Sequence, residues 1–516
     1  MIGESERVQR AVSLLLRAGY HLEKEAFDFL YAISKVTDPV RLIEVLLKQL
    51  DNFEHKRLLV SKKLLEEAVN DQLPVCDDPA DYSKAPAASA RVLTPKRRRY
   101  VKAKDTESDV EVLQDPTKEV CSTGAIEEYL QYFRDRFQRI ERLVRQRMDC
   151  RGATSLRYVF RALSRAKVKT ICMITDKRET KFGTLLTIED LEASATALIP
   201  NNASSDLIEK SKSLLLDQVV CIELQKTRAS RLIVEKIFFP DLPQRAPTYG
   251  NSSVKVALIS DLHVGSRQFM ESAFNRFTLW LNGKCGEESG RIAEQVKYVI
   301  IAGDIVDGVG VYPKQINDLV VDEVSKQYEL AAKFLEQIPD YIDVIIIPGN
   351  HDATRRALPQ PALAKEYVEP LMENRSTLSL GNPASIRIHG VEFLLYHGRS
   401  LDDVLATVPG MEFHSPERAM RLMLRSRHLA PIYGQRTSIS PEKRDFLVIE
   451  RVPDVFHSGH VHVMKYEAYR GTVVVNSGAW QRQTSYQRNL GLEPTPGIIP
   501  ILSLKDLSIT PMDFNA

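Results

Sequence analysis

Apolar residues at three- and four-residue spacing dominate the first part of the chain. The runs RVQRAVSLLLRAGYHLEKEAFDFLYAI and DPVRLIEVLLKQL both show this spacing, which is typical of amphipathic helices. Asp38 followed by Pro39 suits the N-cap and first turn of the second helix. We therefore predict a small helical domain over residues 1–70, a docking or capping module in which nothing suggests chemistry.

The pattern changes twice before residue 167. Residues 71–122 are rich in Pro, Ala, Ser, Asp and Lys and have few large apolar side chains, which predicts a flexible linker. Its basic run PKRRRYVKAK could touch nucleic-acid phosphates, although a solvated linker charge run is the favoured interpretation. Residues 123–166 return to helical spacing with many arginines, which predicts a helical connector.

Over residues 167–245 the helical spacing gives way to short runs in which apolar and polar residues alternate. The segments VKTICMITDKRETKFGTLLTIED and QVVCIELQKTRASRLIVEKIFFP each have the pattern of two strands joined by a turn. With one helical stretch between them, they predict a small barrel of the OB type. Such barrels often bind single strands through basic grooves and stacking aromatics. Because this segment has few aromatics, an interaction barrel is at least as well supported as a DNA reader.

Five apolar runs beyond residue 253 each stop abruptly at acidic, amide or imidazole side chains. Helical stretches such as DEVSKQYELAAKFLEQI separate the first three. Buried strands that alternate with helices and end in functional residues predict a layered α/β domain over residues 254–516. The five runs are VKVALISDLHVGS, KYVIIAGDIVDGVG, DVIIIPGNHDATR, VEFLLYHGRS and VFHSGHVH.

Composition narrows the class of protein. A chain of 516 residues exceeds one ordinary core and predicts two to four domains. Neither an apolar run of about 18 residues nor a secretory signal is visible, so we expect a cytoplasmic protein without a membrane span. Six scattered cysteines without a CxxC pair indicate a reducing compartment rather than a disulfide framework. The net charge of +2 means that nucleic-acid binding would need local basic patches.

Convergence of the five strand ends would gather oxygen and imidazole ligands without a thiolate. The spacings Asp-x-His and His-x-His place both side chains on one face of an extended segment, so that each pair can hold one ion. Such a set suits two divalent ions such as Mn²⁺, Fe²⁺ or Zn²⁺, with Asp304 in the central block as the natural bridge. The candidate metal ligands are Asp261, His263, Asp304, Asn350, His397, His460 and His462.

The remaining histidines lack this paired spacing. A lone histidine is usually not a ligand, and His457 is therefore left out of the metal set, with a supporting contact to the ligands as its minority interpretation. The others are interpreted as surface or core residues: His21, His55, His389, His414 and His428.

The blocks DLH, GDIVD, GNHD, YHG and GHVH resemble the calcineurin-like metallophosphoesterase superfamily over residues 254–516. The resemblance implies an α/β four-layer sandwich with a dinuclear metal centre that hydrolyses phosphate mono- and diesters. It also implies that His351 acts on the phosphate or the leaving group and that Asp352 orients His351. One ion would be bound by Asp261, His263, Asp304 and His462. The other would be bound by Asp304, Asn350, His397 and His460.

A narrower resemblance rests on the barrel that precedes this domain and on the segments YHGRSLDD, RHLAPIYG and NSGAWQRQT. Together they look like the small subunits of archaeal family-D DNA polymerases. That family implies a 3′→5′ exonuclease that proofreads the 3′ end of primer-template DNA and pairs with a large polymerising subunit. A sliding clamp and primase are further candidate partners, and the location would be cytoplasmic and nucleoid-associated. Mn²⁺ is the first candidate ion, Fe²⁺ and Zn²⁺ are the alternatives, and Mg²⁺ would support the polymerase subunit.

Contacts to DNA and the function class leave alternatives open. Arg267 and Arg399 could pair with DNA phosphates, and surface arginines without a role are equally well supported. Trp480 and Tyr486 could stack a terminal base, although core packing is favoured for Trp480. Another metallophosphoesterase, such as a phosphatase or repair nuclease, is disfavoured by the preceding barrel. A non-catalytic polymerase assembly subunit is disfavoured because no ligand position is missing.

Overall fold

The computed structural model describes residues 101–284, 287–373, 375–489 and 491–515, and short stretches between residues 8 and 60. The chain divides into two compact units, Met1–Arg97 and Arg98–Ala516. The predicted helical domain lies largely outside the described residues, which in the first unit include a parallel pair, β1 (His21–Leu22) and β2 (Leu59–Val60). Within the described residues, none of the helices combines the length and the apolar character needed to span a bilayer.

The second unit contains strands throughout, with helices between them. The strands are β3 (Val110–Gln114), β4 (Lys167–Thr180), β5 (Gly183–Glu189), β6 (Ser194–Pro200), β7 (Val219–Lys226), β8 (Leu232–Phe238), β9 (Lys255–Ile259), β10 (Val296–Ala302), β11 (Asp343–Ile347), β12 (Thr377–Ser379), β13 (Ala384–Ile388), β14 (Val391–Leu395), β15 (Val455–Ser458), β16 (Lys465–Tyr469), β17 (Thr472–Asn476), β18 (Ile498–Ser503) and β19 (Ile509–Asp513). The helices, including two 3₁₀ turns, are Ile126–Arg145, Met148–Cys150, Leu156–Arg161, Ser205–Lys212, Glu271–Leu281, Glu287–Ala293, Gln315–Asp318, Val324–Leu335, Lys365–Met372, Leu401–Thr407, Pro416–Ser426 and Ser485–Asn489.

Strands β4 to β8 close into a barrel in the order β4-β5-β6-β8-β7. Alternate side chains such as Ile174, Ile188 and Ile222 point into its core and are fully buried. The helix Ser205–Lys212 lies between β6 and β7, and the Ser204 hydroxyl caps it by accepting from the Leu207 amide at 3.3 Å. The structure thus shows a closed barrel in this segment, while its assignment to the OB type stays a prediction.

Two six-stranded sheets pack face to face in the second part of this unit. Their orders are β12-β11-β10-β9-β18-β19 and β16-β17-β15-β14-β13-β3. Leu258 and Ile300 from the first sheet meet Phe393 and Val475 from the second in one buried cluster between them. Separate buried clusters cover the outer face of each sheet with helices. The predicted layered α/β domain is therefore built as helix, sheet, sheet and helix.

The edge strand β3 falls inside the predicted flexible linker, 71–122. It pairs antiparallel with β13, and the Asp109 amide donates to the Tyr298 hydroxyl at 3.0 Å. Flexibility was therefore the wrong prediction for residues 110–114. The run Val110–Gln114 forms a strand here because an existing sheet edge supplies its hydrogen-bond partners.

Helix Ile126–Arg145 is joined to the two-sheet domain by a buried ionic network. Arg136, which is 1% exposed, donates from Nε to Asp445 at 2.8 Å, and His428 Nε2 lies 2.8 Å from the same carboxylate oxygen. The Ala430 amide donates to His428 Nδ1, so the neutral ring carries its proton on Nε2. Burial lowers the pKa of His428 to about 4. Burial alone would raise the pKa of Asp445, but His428 and Arg136 hold it well below its usual range.

Candidate metal centre

The carboxyl ends of five strands deliver every predicted ligand to one site. Because β9, β10 and β11 run parallel, their ends lie at one edge of the first sheet, and β14 and β15 run parallel in the second. The residues and the strands they follow are Asp261 and His263 after β9, Asp304 after β10, Asn350 and His351 after β11, His397 after β14, and His460 and His462 after β15.

The first group of ligand atoms comes from Asp261, His263 and His462. His263 Nε2 and His462 Nε2 face each other at 3.1 Å. Asp261 Oδ1 lies 3.4 Å from His462 Nε2 and 3.9 Å from His263 Nε2. All three side chains are at least nine-tenths buried, and their candidate ligand atoms point at one another.

The second group comes from Asp304, Asn350, His397 and His460. His397 Nε2 lies 3.0 Å from Asn350 Oδ1 and 3.3 Å from Asp304 Oδ2. The same Asp304 oxygen lies 3.8 Å from His263 Nε2 in the first group. Asp304 therefore stands between the two groups, where a ligand shared by two ions is required.

A hydrogen bond from its outer ring nitrogen orients the imidazole of His397. His397 Nδ1 lies 2.8 Å from the Ala302 carbonyl oxygen, which can only accept, so Nδ1 carries the proton and Nε2 keeps its lone pair. His263 Nδ1 lies 3.0 Å from Asp307 Oδ1 in an ion-pair contact but forms no hydrogen bond among the described residues. A histidine that donates its second nitrogen to a carbonyl or carboxylate is the usual form of a metal-bound histidine.

The backbone at this site is strained. Five of the seven candidate ligands are non-glycine residues with left-handed φ angles, a conformation that costs roughly 1–2 kcal/mol per residue. Such strain persists where the surrounding structure imposes it, and it concentrates at functional sites. These residues and their φ angles are Asp261 (53°), His263 (52°), Asp304 (52°), His460 (72°) and His462 (62°).

Buried charge at the site fits cations. Burial alone would raise the pKa of Asp261, but His462 and His397 lower it to about 2. Burial likewise opposes the effect of His397 and His351 on Asp304, whose pKa is lowered well below its usual range. Among the described residues, Asp261 Oδ1 accepts no hydrogen bond although it is buried. A buried carboxylate oxygen in need of a partner, within an oxygen and imidazole donor set, fits divalent ions of the Mn²⁺, Fe²⁺ or Zn²⁺ type.

The side chains of the two predicted catalytic residues have different hydrogen-bond partners. His351 Nδ1 lies 2.8 Å from the Asp307 carbonyl oxygen, and the His351 ring packs at 4.7 Å against His263. The carboxylate of Asp352 instead accepts from the Gly349 amide at 2.8 Å. It also accepts from the Ile305 amide and the Tyr328 hydroxyl.

The prediction that Asp352 orients His351 was therefore wrong, because the Asp352 carboxylate is occupied by these loop contacts. Burial and the charge of Asp304 raise the pKa of Asp352 to about 6. The residue that holds the His351 ring is Asp307, through its carbonyl oxygen. The sequence pattern GDIVD contains this aspartate, but it was not included among the candidate residues.

A cavity of about 420 Å³ opens onto both groups of ligand atoms. Its other lining residues include three arginines, Arg356, Arg399 and Arg436, and the aromatic side chains of Tyr312 and Phe413. The cavity therefore combines positive charge with apolar wall beside the carboxylates and imidazoles. This is a lining suited to a phosphate-bearing ligand with an apolar part.

The four predicted DNA contacts have different outcomes. Arg399 lies in the cavity lining, whereas Arg267 is exposed outside it and donates from Nε to the Asn317 carbonyl oxygen. Trp480 is fully buried among Phe274, Phe277 and Phe514, which confirms core packing. The side chain of Tyr486 lies outside the described residues.

The histidines that were not predicted as metal ligands lie in other environments. His457 is fully buried with Nε2 against the Ser477 hydroxyl, and burial lowers its pKa to about 3. His389 is buried against the Tyr298 hydroxyl at 2.9 Å, and His414 is exposed. His55 and the side chain of His21 lie outside the described residues.

Two polar residues at the site carried no signal in the sequence. Asp402 Oδ1 lies 3.3 Å from His460 Nε2, and Gln487 Nε2 lies 2.9 Å from His462 Nδ1. Asp402 is part of the segment YHGRSLDD. A single acidic residue in a helix does not predict a contact with a histidine about sixty positions further along the chain. Gln487 lies in the short helix Ser485–Asn489, 25 positions after His462.

Residues 256–464 match the model of a protein family described as the B subunits of DNA polymerases alpha and epsilon. The chain is 38% identical over 411 residues to the DNA polymerase II small subunit of Methanocaldococcus jannaschii, a match that covers 78% of this chain and 68% of that one. The corresponding protein of Pyrococcus furiosus is 39% identical over 396 residues, covering 76% of this chain and 64% of that one. That of Methanothermobacter thermautotrophicus is 34% identical over 490 residues, covering 94% and 96%.

The solved structures that match the chain are far more distant in sequence. An archaeal phosphodiesterase is 17% identical, with a TM-score of 0.25, and covers 50% of this chain and 99% of its own. A zinc-complexed Vps29 from Entamoeba histolytica is 16% identical, with a TM-score of 0.25, and covers 51% and 100%. Similarity at this level carries no argument about chemistry.

Proposed function

The chain belongs to the family of archaeal DNA polymerase II small subunits, and from that membership we propose that it is the polymerase's proofreading 3′→5′ exonuclease. The observation that carries the proposal is the position of Asp304. Its Oδ2 atom lies 3.8 Å from His263 Nε2 and 3.3 Å from His397 Nε2. One carboxylate is thus shared by two groups of ligand atoms, as the hydrolysis of a phosphodiester by two ions requires.

Two bound divalent ions, with Mn²⁺ as the first candidate, would supply Lewis acidity and lower the pKa of a water molecule at the scissile phosphate. His351 Nδ1 donates a hydrogen bond to the Asp307 carbonyl oxygen and keeps its proton. Only His351 Nε2 can therefore exchange a proton with the leaving 3′-oxygen. Arg356, Arg399 and Arg436 bind the substrate phosphates from the cavity wall. A mismatched primer end frays more readily than a paired one, and the narrow cavity therefore selects errors.

The test is degradation of primer-template DNA in the presence of Mn²⁺ by the wild-type chain and by His460→Ala. We expect stepwise loss from the 3′ end, faster for a mismatched than for a matched terminus. The variant should lose more than about 100-fold in rate, since removing a ligand costs at least as much as removing a supporting contact. His414→Ala, which removes an exposed histidine of the same domain, should retain full activity.

Partner requirements are tested in the same assay. Because its relatives are named small subunits, we propose that this chain pairs with a large polymerising subunit, and that a sliding clamp and primase are further candidate partners. The barrel, proposed to be of the OB type, and the outer face of the phosphoesterase-like domain would provide the contact surface. Activity that appears only with the large subunit would mean that the centre needs its partner.

Two results would contradict the proposed exonuclease activity. A folded, metal-loaded chain that is silent alone and with the large subunit would indicate a non-catalytic assembly subunit. Hydrolysis of phosphate monoesters or of internal phosphodiesters, without loss from 3′ ends, would indicate a different phosphoesterase. A panel of a monoester, a circular single strand and a 3′-labelled primer separates these cases.

A further inference from the structure

His460 has two candidate hydrogen-bond partners for its Nε2 atom. His460 Nε2 lies 3.3 Å from Asp402 Oδ1 and 3.4 Å from Arg399 Nη1. Arg399 Nη1 in turn lies 2.8 Å from Asp402 Oδ2. Imidazole, carboxylate and guanidinium therefore form a closed triangle, in which each carboxylate oxygen serves a different neighbour. The side chains of His460 and Asp402 are only 11% and 16% exposed.

The chemistry of the two partners is opposite. A guanidinium can only donate, so a hydrogen bond from Arg399 would require the lone pair of His460 on Nε2 and its proton on Nδ1. An ionised carboxylate can only accept, so a hydrogen bond to Asp402 requires the proton on Nε2 and leaves the lone pair on Nδ1. Only the second arrangement leaves a lone pair on Nδ1, the nitrogen that Asp402 and Arg399 do not occupy, for an ion held with Asp304 and His397.

We propose that Asp402 is a positioning residue, which holds the Nε2 proton of His460 so that Nδ1 binds the second ion. Asp402 also keeps Arg399 from donating to that nitrogen by engaging the guanidinium through its other oxygen. The two histidines of this group then ligate through different atoms, His397 through Nε2 and His460 through Nδ1. This inference rests on the proposed two-ion centre and adds a residue that determines whether one half of it forms.

The experiment is calorimetric titration of the metal-free full chain with Mn²⁺ alone, without DNA. Wild type should bind two Mn²⁺ ions. In Asp402→Ala, Arg399 remains as the only partner of His460 Nε2, and the dissociation constant of one ion should rise roughly 10- to 100-fold while the other is unchanged. Asp402→Asn retains an acceptor oxygen but adds a competing donor, and should give a smaller rise for the same ion.

Asp403 provides the matched control. It is the adjacent carboxylate on the same helix, it is buried, and it accepts from the amides of Arg436 and Thr437 at 3.0 Å rather than from a histidine. Asp403→Ala should lower the melting temperature of the metal-free chain but leave both Mn²⁺ affinities unchanged. A purely structural role for Asp402 would instead give the same result as this control.

The outcomes distinguish this inference from the function on which it rests. Unchanged affinities in both Asp402 variants, or equal weakening of both ions, would overturn the role of Asp402 and leave the two-ion centre in place. A wild-type chain that binds fewer than two Mn²⁺ ions would overturn the proposed function and this inference with it. If Asp402→Ala does not fold, the Asn variant alone decides, because it preserves the size of the side chain.

Discussion

Replacing Arg136 by Met should cost the protein far more stability than the same replacement of another arginine on the same helix. Arg136 is 1% exposed, and its partner Asp445 is fully buried. Removing one member of a buried ion pair leaves an uncompensated charge, which costs about 3–5 kcal/mol of unfolding free energy. Arg136→Met also takes a donor from the Pro431 carbonyl oxygen, a contact of 3.3 Å in the wild type. We therefore expect a loss of about 4 kcal/mol.

Arg145→Met is the control for this prediction. Arg145 pairs with Glu141 one turn earlier, and the two side chains are 49% and 24% exposed. A pair of that kind contributes at most about 1 kcal/mol. Both variants introduce the same unbranched side chain of similar helix propensity, and both remove a donor from a carbonyl oxygen, so the difference between them reports chiefly the burial of the pair.

The assay is equilibrium urea unfolding of the full chain, followed by circular dichroism at the helix band and by tryptophan fluorescence. Arg136→Met should move the unfolding midpoint clearly below that of Arg145→Met. The double variant Arg136→Met with Asp445→Leu should recover only part of the loss, because the buried carboxylate is gone but His428 Nε2 and the Leu447 amide lose their acceptor. Equal midpoints for the two single variants would refute the reasoning, since they would show that burial adds nothing to this ion pair.

Two further predictions concern the buried imidazole of this network and the metal centre. The folded-state pKa of His428 is about 4 against an ordinary 6.5, so neutral His428 contributes about 3 kcal/mol of stability above pH 6.5. This contribution is lost as the pH falls toward 4. His428→Gln should therefore flatten the pH dependence of the unfolding free energy between pH 6.5 and 4. An unaltered pH profile in that variant would contradict this assignment. Gly349→Ala should abolish binding of Mn²⁺ by the metal-free chain, because a Cβ at residue 349 would overlap the Asp304 carboxylate. Calorimetry that shows full Mn²⁺ binding by this variant would mean that the Asp304 side chain has room to move.

Much of the metal centre is predictable from sequence because each ligand follows a strand. Residues such as Asp261 and Asn350 come directly after buried apolar runs, and parallel strands bring their carboxyl ends to one edge. The same regularity predicts the alternation of strands and helices. The left-handed backbone at Asp304 and His460 is not predictable from residue type, because neither residue favours that conformation strongly.

Supporting contacts escaped prediction because they join elements that are remote in sequence. Asp402 meets His460 only after the helix that follows β14 packs beside the loop that follows β15. Asp352 was assigned to His351 because the two are neighbours in the chain, whereas folding directs its carboxylate to loop amides. Strand β3 is a single run of five residues inside a polar segment, and it forms by pairing with the edge of a sheet that already exists.

The most direct test of the two-ion centre is anomalous diffraction at the manganese edge from crystals of the wild-type chain soaked in Mn²⁺. The account predicts two peaks about 3.5–4 Å apart, on either side of the Asp304 carboxylate. One should lie against His263 and His462, and the other against His397 and Nδ1 of His460. A single peak, or peaks that do not share Asp304, would contradict it.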